Sequence, residues 1–237
     1  MKNIANLVLA VCAIVFSTSC GTGKTPETGS AEAAAQLQKN LKGTYEELFS
    51  ERTLLNPKWD AYWLSECEKA VGKDAAQATV EALKASMSGT LTGEAATERF
   101  GDGTDDWRNG FQFNCDFKQG VSRFVFDGKG GIKGLDASGN EIFSHEYVFD
   151  SYNADYDFYF FKSKDGNEDE FSCFAMRSDT PASTHHIEFR YGTDIESLSE
   201  FCTGKYAYWM AAGVLENSDK EQQESIRIFI EENTSQD

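Results

Sequence analysis

The sequence predicts an α+β protein: helices first, then about seven short antiparallel strands forming a small β-barrel, then more helix. Three observations predict it. Between Ala33 and Ser88, apolar residues recur at spacings of three and four, the period of a helix with one buried face. From Gly101 onwards, runs rich in Phe, Val and Tyr return roughly every ten residues, separated by Gly, Asp and Asn, as in an antiparallel meander. After Gly192, helix signals resume with Asp194 as a cap.

Ala33 to Ser50 reads as a helix, alanine-rich, with Leu37, Leu41, Tyr45, Leu48 and Phe49 on one stripe. Pro57 opens a second helix carrying Trp59, Tyr62, Trp63 and Val71. Lys73 to Ser88 makes a third, with Ala76, Val80, Leu83 and Met87, and stops before Gly89. Phe111 to Phe117 alternates as a half-buried strand does. Gln119-Gly120, Asp127 to Gly131 and Asp136 to Asn140 then turn the chain between Val121–Phe126, Ile132–Leu135 and Ile142–Phe149. The aromatic run from Tyr156, the run Phe171 to Asp179 and the alternating run ending at Gly192 complete the strands. In the last, Ile187, Phe189 and Tyr191 share one face, and His186, Glu188 and Arg190 the other. Asp194 starts a helix with Ile195, Leu198, Phe201 and Cys202 inward. Ser225 to Ile230 fits either a strand, by its period of two, or a helix, by its acidic flanks. The chain so divides into a leader (1–19), a tether (20–32) and one domain (33–235): helical over 33–90, strands over 110–192, mostly helical over 194–230.

The leader carries Lys2, an apolar run from Ile4 to Phe16 and small residues up to Cys20, the pattern of an export signal. Cys20, followed by Gly-Thr-Gly, resembles the lipobox of bacterial lipoproteins, with Ser17 where an aliphatic residue is usual. That resemblance implies cleavage before Cys20 and a lipid anchor on it; ordinary signal cleavage nearby is the alternative. The exported chain is then held at the bacterial cell envelope, periplasmic or surface-facing, and touches the membrane only through that anchor.

The formal charge is −17; losing residues 1–19 removes one positive charge, Lys2, and leaves −18. So acidic a surface excludes nucleic acid as a partner. Apart from Cys12 and Cys20 there remain Cys67, Cys115, Cys173 and Cys202, an even number in an exported chain, which predicts two disulfides. Three connectivities are open, with Cys115–Cys173 and Cys67–Cys202 favoured. None stands at CxxC spacing, so no zinc ribbon is read.

Asp165, Asn167 and Asp169 repeat the first spacings of a calcium loop. Glu170 stands where that loop needs glycine, and Met176 where it needs an acid, so the segment reads as a hairpin turn. Gly23-Lys24-Thr25 lacks the first glycine of a phosphate loop. No serine elbow or HExxH occurs, and an enzyme is not expected.

Trp59-Asp-Ala-Tyr-Trp63, Tyr159 to Asn167, Phe189-Arg-Tyr-Gly192 and Ser197 to Trp209, in that order, resemble the ZinT (YodA) family over roughly Leu37 to Leu215. The resemblance implies a lipocalin-like (calycin) barrel with helical additions, zinc as the bound metal, and scavenging or delivery of it to a metal-uptake transporter. The family holds zinc with three histidines, two as His-x-His before the glycine. Counted back from Gly192, those positions are His186 and Glu188, and the third is Arg177, which binds no metal. Asp179 lies two residues on and can supply a carboxylate; His145 is a further candidate if the barrel brings it near. The family's cysteine pair falls on His145 and Ser163, so it is missing here. His186 and Glu188 read equally well as a solvated strand face. Two other functions fit the fold: a cup for a small apolar ligand, lined from the 18 Phe, nine Tyr and four Trp, or a surface interaction protein on a barrel that has lost its metal.

Overall fold

The computed structural model describes residues 26–87, 117–166, 168–178, 186–202 and 211–234. Eight strands close into an antiparallel barrel in sequence order. They are β1 (Gly43–Glu47), β2 (Arg123–Phe126), β3 (Gly131–Leu135), β4 (Glu141–Asn153), β5 (Phe158–Ser163), β6 (Cys173–Ser178), β7 (His186–Gly192) and β8 (Ala211–Leu215). Around them lie α1 (Ala31–Asn40), α2 (Asp60–Val71), α3 (Lys73–Met87), α4 (Ile195–Cys202) and α5 (Asp219–Thr234). The expected α+β barrel with helices at both ends of the chain is the architecture found. The expected strand Phe111–Phe117 lies outside the described residues except for Phe117.

The two strands that close the barrel correct the sequence reading. Gly43–Glu47 falls inside the expected first helix, and Ala211–Leu215 inside the expected helical C-terminus. The two pair with each other, Tyr45 opposite Leu215 and Glu47 opposite Gly213. The first helix stops at Leu41, whose N–H donates to the Leu37 carbonyl at 3.0 Å, while the next N–H, that of Lys42, turns to the Lys39 carbonyl at 3.4 Å. Gly43 then passes so close to β8 that a Cβ there would sit 2.4 Å from Leu215. In β8 no period of two shows, because both faces are buried: Ala211 inward, Ala212 and Val214 outward under helices. Ser225 to Ile230 is helical, with Ile226, Phe229 and Ile230 buried on one side of α5.

Aromatic rings fill the barrel. Fully buried Phe124 lies 4.9 Å from both Phe117 and Phe189, 5.3 Å from Tyr191, 5.9 Å from Phe174 and 6.0 Å from Phe143, centre to centre. One end is stoppered by α1, whose Ala34 and Leu37 join the inner cluster beside Phe149 and Tyr152. Over the other end folds the β5–β6 turn, where Phe171 stacks on Phe143 at 4.0 Å and 11° and faces Tyr191 at 5.2 Å. Among the described residues the interior is a packed aromatic core, which lends no support to a small apolar ligand held inside.

Two layers cover the outer wall. Trp63, Met87 and Phe229 from α2, α3 and α5 pack with Ala212 and Val214 of β8. The two buried indoles of that layer are satisfied, Trp63 donating to the Leu54 carbonyl and Trp59 to the Gln222 amide oxygen, each at 2.9 Å. On the other side, α4 sets Leu198 against Phe158, Phe160 and Ala175. Its cap is the expected one, Asp194 accepting from the Ser197 N–H at 2.8 Å. Among the described residues no helix is long and apolar enough to cross a membrane.

Cys67 and Cys173 are buried free thiols, and burial pushes both up from the ordinary thiol range. Cys20 and Cys115 lie outside the described residues. The helix that ends at Cys202 packs on the strand that begins at Cys173, whereas the helix bearing Cys67 packs on α3 and α5. That layout gives no support to a Cys67–Cys202 bridge.

Candidate functional site

Strands β6 and β7 position the first group. Cross-strand register sets Arg177 opposite Glu188, with Met176 opposite Phe189. Alternation sends Ile187, Phe189 and Tyr191 into the barrel core, as the sequence predicts. His186 and Glu188 therefore stand on the outer wall, both partly exposed. They are not inside the barrel.

Glu188 is engaged. The Arg177 guanidinium donates to Glu188 Oε2 through both Nε and Nη2. Its Nη1 donates to the Tyr156 carbonyl at 3.1 Å, and its plane lies 4.8 Å over the Phe158 ring. Three contacts thus fix the guanidinium where a carboxylate ligand would need to be free. The side chains of Arg177 and Glu188 are 33% and 25% exposed, so water still reaches the pair and moderates it.

His145 belongs to a different place. It points inward from β4, 7% exposed, at the barrel end closed by the β5–β6 turn. Its Nδ1 faces Asp165 Oδ2 at 2.9 Å and its Nε2 faces Asp169 Oδ2 at 3.0 Å. The same turn places Phe171 beside Tyr191, and His186 stands five residues further along β7, about 17 Å down the strand. The structure does not bring His145 to His186. Asp179 lies outside the described residues.

Beside His145 a cleft of about 310 Å³ opens on the outer wall, lined among others by Asp127, Lys133, Ser144, Glu146 and Asp165. Asp127 is spent on its own turn, accepting from the N–H groups of Lys129 and Gly131. Lys133 pairs with Glu141 at 3.0 Å. Among the described residues no three His, Cys, Asp or Glu side chains converge as a set able to hold a metal ion.

Two features escaped the sequence reading. One is the clamp on Glu188, which follows from the β6–β7 register and would have been legible once Arg177 was set opposite Glu188. The other is the partnership of His145 with Asp165 and Asp169. Its signal was the Asp-x-Asn-x-Asp spacing of the turn, correctly read as a hairpin but without the strand it folds back onto.

No family model and no curated protein matches the chain. Among solved structures it is similar to the Zn(II)-bound ZinT-like domain of Streptococcus pneumoniae AdcA. The TM-score is 0.46 at 11% identity, over 82% of this chain and 89% of that one. It is also similar to Zn(II)-bound AdcA from the same organism, with a TM-score of 0.44 at 12% identity, over 87% of this chain and 40% of that one.

Proposed function

We propose that the chain is an exported, lipid-anchored envelope protein that binds a divalent cation, zinc foremost, for scavenging or for delivery to an uptake transporter. The observation that carries the reading is the placing of His186 and Glu188 on one outer-wall face, two residues apart on a rigid strand. An imidazole and a carboxylate suit zinc, and Asp179 is the third donor the reading calls on. His145 is not among the proposed ligands. Two or three protein donors leave coordination positions to water, so the affinity is modest. Arg177 competes for the site: a metal takes Glu188 only as the guanidinium lets it go.

The Arg177–Glu188 pair also favours a second reading, a barrel that meets a partner protein and carries no metal. Zinc titration by calorimetry of the native chain and of His186→Ala and Glu188→Ala separates the two. One zinc per chain at micromolar strength, lost in both variants, supports cation binding. No heat of binding leaves the partner reading, and heat unchanged in both variants puts the cation away from His186 and Glu188 and overturns this site.

A further inference from the structure

We propose that His145 is a proton-operated latch that fastens the β5–β6 turn over the barrel end. The latch has two halves, Nδ1 to Asp165 and Nε2 to Asp169, and the ring between them is buried. A neutral imidazole carries one N–H and can donate to one carboxylate only. With both carboxylates ionised, both contacts are hydrogen bonds only when each ring nitrogen bears a proton, and each is then charge-assisted. Losing that proton turns one nitrogen's lone pair toward an oxygen about 3 Å away, and that half of the latch opens.

What the latch holds is a cap. Asp169, one of its two anchors, also accepts from the Phe171 N–H at 2.9 Å and through its carbonyl from the Ser172 N–H at 3.1 Å. Phe171 plugs the barrel between Phe143 and Tyr191, and the Tyr147 hydroxyl donates to the Phe171 carbonyl at 2.5 Å. Further back, the Lys164 N–H donates to the Glu146 carbonyl at 2.8 Å. Release of Asp165 or Asp169 therefore loosens the segment that covers the aromatic end of the barrel.

The other titratable groups around the ring are accounted for. On β4, Glu146 and Tyr147 flank it, and burial pushes the Tyr147 phenol far above its ordinary range, so it stays neutral. Across the cleft stand Asp127 and Lys133, tied to the Asp127–Gly131 turn and to Glu141. The remaining charges of the turn are Lys164, Glu168 and Glu170.

Amide hydrogen exchange of the full chain, corrected for intrinsic rates, tests the latch. Between about pH 5.5 and about pH 8, protection at Lys164, Phe171 and Ser172 should fall about tenfold, while Phe124 and Phe126 hold steady. In His145→Gln, protection at the three amides should be low and the same at both pH values. Should that variant fail to fold, the double variant Asp165→Asn/Asp169→Asn serves, because an amide can bond either form of the ring, and its pH step should vanish. Equal protection at both pH values in the native chain, or a step that persists in either variant, overturns the latch.

Discussion

Replacing Phe124 by alanine is expected to destabilise the chain by about 3–5 kcal/mol and to lower its melting temperature by roughly 6–20 °C. Phe124 is 0% exposed, and five rings stand within 6.0 Å of it from β4, β6, β7 and the segment before β2. Removing the ring leaves a cavity that several strands would have to move together to fill, and a closed barrel resists such movement. Thermal unfolding followed by circular dichroism measures the loss. A change below about 1 kcal/mol would mean that the barrel centre is not ring-packed, and a ligand cup would return as a function.

The second large effect is expected at Arg177. Arg177→Ala frees Glu188 and should raise zinc affinity about tenfold, since a charge-assisted pair that water partly reaches is worth roughly 1–2 kcal/mol. The loss of packing over Phe158 should cost under about 1 kcal/mol of stability, as the side chain is one-third exposed. Arg177→Lys, which keeps the charge but not the fork that grips Oε2, should fall between native and alanine. Calorimetry with zinc on the three proteins checks this. Unchanged or weaker binding in Arg177→Ala would show that Glu188 is not a ligand.

How much of this was legible in the sequence depends on where the physics is local. Turns fixed by Asp127 and Asp136, whose side chains bond backbone N–H groups within four residues, could be read directly. The inward set Ile187, Phe189 and Tyr191 followed from alternation, and the helix cap from Asp194. Closure of the barrel was not legible, because Leu41 and Tyr45 stand four apart, as on a helical stripe, although Tyr45 lies in β1, and β8 is buried on both faces. Their identity as strands is decided by pairing across the whole chain. At the candidate site, His186 and Glu188 were visible as residues, but which carboxylate is free and which is clamped depends on inter-strand register. For His145 the sequence showed a lone histidine; only the return of the β5–β6 turn supplies its two carboxylates.

The most direct measurement is a crystal structure of the full chain grown with zinc, its position fixed by anomalous scattering at the zinc edge. Zinc on the outer wall between His186 and Glu188, with Arg177 turned away and His145 still held by Asp165 and Asp169, is the expected result. Zinc bound at His145, or no zinc with the Arg177–Glu188 pair intact, would contradict cation binding at the β6–β7 wall.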